Sequence, residues 1–292
     1  MTPENTPEPG LRTDESAEAA AQWWRTSISD IKPNAIRLRG YAVQDLMGTI
    51  GFIDMLWLLV RGDLPSRNES ALLEAAMLAA VDHGPQAPSI AVARMAATCG
   101  VAMNGVIAQG VGVLGDVHGG AIEQCMQMYR ALFGLDIDLN DTAAVDAEVR
   151  RQMQAHDGFA PGFGHRFHAR DPRTPRILAL ARQAQAAGTI AGTYLELAGT
   201  VEASLARIKG KPIPMNIDGA DAAVYLELGF EPPMGRALLV LSRSLGIVAH
   251  GWEQMQRKER IKGPLPRTLN YRYEGAAPRE VPADWKTAKD AL

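Results

Sequence analysis

Leu238, Leu241, Leu245, Val248, Trp252 and Met255 recur at intervals of three and four residues, which places all six on one face of a long helix. Such a stripe has to be covered, by the chain's own core or by a second copy. Arg243 falls off the stripe and needs a separate reason. The helical period runs through most of the chain. Alanine and leucine abound, aromatic residues make up only 6%, and β-branched runs are short. The pattern predicts helices over 43–61, 68–82, 87–108, 118–134, 142–156, 174–187 and 190–209, with breaks at Leu64-Pro65-Ser66, Gly84-Pro85 and Pro88. One alternation, Ile36-Arg37-Leu38-Arg39 closed by Gly40, predicts a short strand or hairpin arm. The expected fold class is all-α.

Residues 1–22 are polar, acidic and rich in proline, and read as a flexible tail. They lack the basic start and apolar stretch of a secretory signal. No apolar run approaches the roughly 20 residues needed to span a bilayer. A net charge of −3 offers no electrostatic footprint for nucleic acid or an anionic membrane. An anionic ligand must therefore be held by local arginines. Two thiols, Cys99 and Cys125, suit a reducing compartment and are too few for a Cys-rich zinc framework. The expectation is a cytoplasmic protein without nucleic-acid or membrane partners.

Chemistry is expected where the helices are interrupted. Residues 157–173, DGFAPGFGHRFHARDPR, form a polar glycine loop, and two glycines flanking Phe163 let the backbone approach a ligand closely. Pro214-Met215-Asn216-Ile217-Asp218-Gly219 separates two helices in the same way. Of six histidines, His83, His118, His165 and His168 stand at such punctuation, whereas His156 and His250 read as ordinary helix residues. Zinc is a rival reading, but no histidine has the paired spacing of HExxH or a CxxC partner, so no metal site is assigned. A histidine at a helix N-terminus stays neutral against the dipole and can donate a hydrogen bond to an enolate, which suits His118. Asp218, after Asn216, suits a base that removes a proton beside a thioester, and His165 suits a group that exchanges a proton with a carbonyl or hydroxyl oxygen. Acid, base and enolate stabiliser together are what aldol or Claisen chemistry requires. Bland alternatives stand beside these: Arg243 as a solvated helix arginine, and Asp218 as a helix N-cap.

Several pieces, taken together in their order, resemble citrate synthases and, more closely, citryl-CoA lyases. They are R-L-R-G-Y ending at Tyr41, W-L-L-V-R-G-D-L-P ending at Pro65, Asp82-His83 and the H-G-G-A set at His118. P-G-F-G-H-R with D-P-R, N-I-D-G and S-R-S-L-G-I-V-A-H complete them, so the resemblance covers about residues 28–273. It implies that His118 stabilises the acetyl-CoA enol, His165 serves the oxaloacetate carbonyl and Asp218 takes the methyl proton. It also implies that His83, Arg173 and Arg243 hold the substrate's oxygens and carboxylates. The loop around Gly162, Phe163, Gly164 and Arg166 resembles the segment that wraps coenzyme A. No further cofactor is implied beyond the coenzyme A thioester itself. The implied architecture is a large helical domain (23–118 plus 218–292) with an inserted small domain (119–217) and a cleft between them. A homodimer is implied too, consistent with the stripe.

Three departures shape the expected activity. Gly263-Pro264 stands where citrate synthases usually carry an arginine before a proline, and Lys262 and Arg267 are the nearby cations. Gly219-Ala220-Asp221 follows the aspartate in place of an aromatic and a small polar residue, and Ala80 stands where another histidine is frequent. The chain also resembles the reduced core shared with citryl-CoA lyases, and no P-loop is present to support ATP chemistry. The favoured expectation is cleavage of citryl-CoA or a close analogue to acetyl-CoA and a 2-oxo acid. A condensing enzyme that also hydrolyses the thioester, and a non-catalytic CoA-thioester-binding subunit, remain as alternatives.

Overall fold

The computed structural model describes residues 17–166, 168–263, 266, 268, 269, 272–282 and 285. Arg267 and residues 1–16 of the expected tail lie outside the described residues. Residues 17–22 of that tail belong to a helix, α1 (Ala17–Trp23). Next comes an antiparallel meander of β1 (Ser29–Lys32), β2 (Ala35–Leu38) and β3 (Tyr41–Ala42), with Ser29 opposite Leu38 and Leu38 opposite Tyr41. The predicted alternation is the middle strand. The Arg39 side chain ties the meander to the helices, donating from Nε and Nη2 to the Leu59 carbonyl at 3.1 and 2.7 Å.

The rest is helical: α2 (Val43–Leu46), α3 (Phe52–Arg61), α4 (Arg67–Ala79), α5 (Pro88–Thr98), α6 (Met103–Gly112) and α7 (Ala121–Gly134). Then follow α8 (Thr142–Gln154), α9 (Thr174–Ala186), α10 (Thr193–Lys209), α11 (Ile217–Glu227) and α12 (Pro232–Arg257). Two predicted helices are broken in the structure. The first, 43–61, stops at Leu46 and resumes at Phe52, because Gly51 is an N-cap whose N–H donates to Asp54 at 2.9 Å. The second, 87–108, divides between Thr98 and Met103, where Gly100 takes a φ of 81° that ends a right-handed helix. Apolar spacing continues across both breaks, so periodicity alone does not reveal them.

A large buried cluster joins side chains of α3, α4 and α7–α12, with Tyr129 and Tyr225 at its centre, both fully buried. Burying a large side chain is worth about 1.5–3 kcal/mol, so this cluster carries most of the fold's stability. Its members come from both segments of the expected domain division, since α7 packs on α11 and α12. A smaller cluster gathers Ile90, Ala93, Val106 and Ile247 from α5, α6 and α12.

The long helix α12 turns a different face inward from the one its apolar stripe suggests. Leu238 is buried, but Leu241, Leu245, Val248 and Trp252 are exposed by 40–58%. The buried side instead carries Leu239, Ser242, Arg243, Gly246, Ile247 and Gly251. Gly246 lies where a Cβ would collide with the Val81 carbonyl, so the helix can meet the 81–84 turn only through glycine. This approach brings Arg243 to the chemistry-bearing turns. Among the described residues, no helix is long and apolar enough to cross a membrane.

Candidate active site

The site grows from four chain interruptions brought together by α11 and α12. Asn216 caps α11, its side-chain oxygen accepting from the N–H groups of Asp218 at 2.9 Å and Gly219 at 3.2 Å. Asp218 is therefore not the cap: it occupies the first helical turn, half-buried, with its backbone fixed by Asn216. Burial raises the pKa of its carboxyl, against the opposing pull of Arg173 and Arg243. A carboxyl tuned upward in this way is a better proton acceptor than an ordinary aspartate.

The glycine loop is stitched to the segment that precedes α11. Gly162 O accepts from Asn216 N at 3.0 Å, Gly164 N donates to Pro214 O at 2.8 Å, and Asn216 Nδ2 donates to Gly164 O at 2.7 Å. Gly162, at φ 84°, leaves no room for a Cβ, which would come within 2.7 Å of both Cys125 Sγ and Gly219 Cα. Phe163 turns inward, its ring 6.4 Å from that of Tyr129. Gly162 and Phe163 thus anchor the loop. His165, half-buried, and Arg166, exposed, are presented beyond it.

The His165 ring stands 5.5 Å from His83 and 4.5 Å from His168, and its Nδ1 accepts from His168 N at 3.2 Å. Burial lowers the pKa of His165, and the neighbouring His168 and Arg173 add to the effect. His83 is lowered by desolvation and then by Arg173, Arg243 and His165. Both rings therefore favour the neutral form.

His118 is positioned by a helix other than its own. The helix expected from residue 118 begins at Ala121, and His118 lies in the turn before it. There its Nε2 receives the Ser89 N–H at 3.2 Å and contacts Ser89 Oγ at 3.0 Å. Ser89 is in the first turn of α5, which opens with Pro88. A backbone N–H can only donate, so Nε2 is an acceptor and the ring proton sits on Nδ1. Burial, Arg243 and Arg166 all lower the pKa of His118. Burial and the two cations thus favour the neutral ring, and the N-terminus of α5 sets which nitrogen accepts.

The two arginines are held differently. Arg173 forks onto Asp171, Nε to Oδ1 at 3.0 Å and Nη2 to Oδ2 at 2.8 Å, while Nη1 donates to Ala79 O at 2.9 Å. Three of its five N–H groups are committed in these bonds. Asp171 is buried, and although burial opposes ionisation, hydrogen bonds from Arg173 and the Ile217 N–H hold its pKa down at about 2. Arg243 is only 8% exposed, so it is no solvated helix residue, and its Nε donates to Ala80 O at 2.9 Å. Burial lowers its pKa, with Asp82 and Asp218 opposing.

Sequence reasoning missed three supports. Asp171 was visible only as the start of D-P-R. Ser89 had no signal beyond its place after Pro88. His250, taken for an ordinary helix residue, faces Asp82 at 3.3 Å through Nε2, while Arg94 Nη1 meets its Nδ1 at 3.2 Å. That network steadies the turn bearing His83. Among the described residues, no group of three histidine, cysteine or acidic side chains is arranged to hold a metal.

The architecture defines a class: a helical protein whose turns bring together histidines lowered in pKa, an aspartate raised in pKa, a half-buried Arg173 and a buried Arg243. The family described as "Citrate synthase, C-terminal domain" matches residues 67–265. A citryl-CoA lyase from Hydrogenobacter thermophilus superposes with a TM-score of 0.80 at 31% identity, covering 90% of this chain and 99% of that one. ATP-citrate synthase beta chain protein 2 of Arabidopsis thaliana is 27% identical over 243 residues, 78% of this chain and 36% of the relative. The citrate synthase of Saccharolobus solfataricus is 27% identical over 202 residues, 68% of this chain and 52% of the relative. The chain thus spans about half or less of the length of these curated relatives. It belongs to the citrate synthase family.

Proposed function

We propose that this chain cleaves citryl-CoA, or a close 3-hydroxy-3-carboxyacyl-CoA, to acetyl-CoA and a 2-oxo acid. The observation that carries the reading is the Ser89 N–H donating to His118 Nε2, with Arg243 bearing on both His118 and Asp218 and Arg173 on both Asp218 and His165. In the cleavage direction His165 accepts the hydroxyl proton while the carbon–carbon bond breaks and a carbonyl forms. The electron pair passes to the thioester enolate, whose oxygen takes the His118 hydrogen bond. Asp218, its proton affinity raised by burial, takes up a proton as the anionic substrate binds and then gives it to carbon, ending as the carboxylate. His83, Arg173 and Arg243 hold the carboxylates and the hydroxyl. Arg166 and the backbone of the Gly162–Gly164 loop face the coenzyme A thioester, and the chemistry asks for no further cofactor.

Further parts of the proposal concern assembly. Segment 119–217 is the smaller, inserted unit, and its closing on 23–118 and 218–292 excludes water from the cleft. The exposed face of α12, from Leu241 to Trp252, is where a second copy packs, giving a homodimer. The cytoplasm is the proposed location, with Cys99 and Cys125 as free thiols. Similarity along nearly the whole length of a citryl-CoA lyase supports the lyase reading, as does Gly263 in place of a cation.

Incubation with citryl-CoA tests this directly, following oxaloacetate, citrate and free thiol. The expected result is oxaloacetate and acetyl-CoA with little free thiol. Citrate released with stoichiometric free CoA would assign a condensing, hydrolysing enzyme. No turnover, with thioester binding seen by calorimetry, would assign a binding subunit.

A further inference from the structure

Asp221 lies three residues after Asp218 on α11, a spacing that sets both on one side of the helix. It is fully buried, and neither carboxyl oxygen has a hydrogen-bond partner among the described residues. One turn further on, Tyr225 is also fully buried, with an unpartnered hydroxyl. The surrounding groups leave a charge there uncompensated. On α11 itself they are Asp218 and Tyr225, and from the turn before α9 they are Asp171 and Arg173. From α7, Cys125 bears on Asp218 and Tyr129 donates to the Gly219 carbonyl at 3.3 Å, with Glu202 of α10 beyond Tyr129. From α12, Arg243 bears on Asp218. Arg173, the cation that bears on Asp221, is already forked onto Asp171.

A carboxylate without solvent, donor or ion partner is among the costliest groups a core can hold, and such a group neutralises instead. We propose that Asp221 is a positioning residue, held as a neutral carboxylic acid at neutral pH, so that Asp218 carries the only charge of a coupled pair. Burial first, and the charge of Asp218 second, push the Asp221 pKa well above the ordinary carboxylate range. While Asp221 keeps its proton, Asp218 ionises against the arginines and can exchange protons with carbon. An ionised Asp221 would instead set a second negative charge beside Asp218 and raise the proton affinity of the base, so the neutral acid keeps Asp218 ionisable nearer neutral pH. The catalytic meaning of this inference rests on the proposed role of Asp218, but the proton on Asp221 does not.

The test counts that proton. An acid whose folded pKa lies above its unfolded value takes up a proton on folding. Its unfolding constant then rises by about tenfold per pH unit above an unfolded pKa of about 4, up to the folded pKa. Urea unfolding of the full chain between about pH 5 and 7 should show this slope reduced by one proton in Asp221→Asn, and equally in the apolar Asp221→Leu. Infrared spectra at neutral pH should show a protonated-acid carbonyl band that Asp221→Asn removes. Asp218→Asn should keep the band but titrate it at lower pH, because the opposing charge is gone. Methyl-proton exchange in acetyl-CoA should keep its pH profile in Asp221→Asn, because the amide matches a neutral acid, whereas a profile moved to lower pH would show that an ionised Asp221 had been raising the base and would overturn the inference. A folded Asp221→Asn with the slope and band of the unmodified protein overturns the inference. So does the failure of both variants to fold when the unmodified protein shows no acid band, since ionised Asp221 would then be a structural anchor. If slope and band behave as expected but exchange survives in Asp218→Asn, the neutral acid stands and the assignment of the base falls.

Discussion

Asp171→Asn tests how the site is held together, because one carboxylate grips both Arg173 and the start of α11. Asparagine keeps one oxygen but sets an NH2 group where Oδ2 accepts Arg173 Nη2 at 2.8 Å and Ile217 N at 3.2 Å. A donor would then face two donors. Folding takes this carboxyl from 3.8 to about 2. At about 1.4 kcal/mol per tenfold change in proton affinity, that corresponds to about 2.5 kcal/mol, or about 1.5–2.5 kcal/mol allowing for solvent screening. Breaking a buried pair from one side costs about 3–5 kcal/mol, so about 2–3 kcal/mol is expected at pH 7 for the partly exposed Arg173. The sign of the pH dependence follows from the lowered pKa. The stabilisation is complete above the unfolded value of about 4 and is lost as pH falls through about 2. Urea unfolding at a series of pH values should therefore show a deficit that is constant from pH 7 to 5 and shrinks below pH 4. A deficit under about 0.5 kcal/mol at pH 7, or one that does not change down to pH 3, would refute the reasoning.

Two further expectations follow from the same geometry. Ser89→Ala removes one hydrogen bond to His118 but keeps the backbone donor, so stability should fall by about 1 kcal/mol. The ring proton should remain on Nδ1, which nitrogen-15 shifts of the imidazole report, and a predominantly Nε2-protonated ring would contradict the α5 account. Leu245→Glu, on the exposed face of α12, should leave the monomer fold intact and weaken dimerisation in analytical ultracentrifugation, whereas unchanged association would place the interface elsewhere.

Much of the fold was legible because one-sided apolar spacing dictates helices and because Gly and Pro mark their ends. The breaks at Met47–Gly51 and Cys99–Ala102 were hidden, since the apolar period carries across them and only backbone dihedrals reveal the turns. The α12 stripe was read correctly as a helix, but its direction could not be read. In this helix the inward face is built from Ser242, Gly246 and Gly251, small residues chosen for close approach and invisible to a search for apolar periodicity. At the site, the chemistry-bearing types announced themselves at glycine turns. Their supports did not, because Ser89, Asp171 and His250 act across long sequence separations that no local pattern encodes.

The electrostatics of the cleft have a direction of their own. A chain with a net charge of −3 concentrates Arg166, Arg173 and Arg243 around three histidines, and these cations help burial to keep His83 and His118 neutral. At His165 burial and His168 lower the proton affinity, while Asp171 offsets Arg173. On the proposed reading, a bound carboxylated substrate reverses that balance, because its negative charges favour an imidazolium where burial and the arginines alone disfavour one. His165 would then gain proton affinity when the hydroxyl proton must be accepted. His118, whose Nε2 is occupied by the Ser89 N–H, cannot take a second ring proton without losing that hydrogen bond. On that reading the same anion separates the two histidines, favouring a base at His165 while the Ser89 N–H opposes protonation of His118 Nε2.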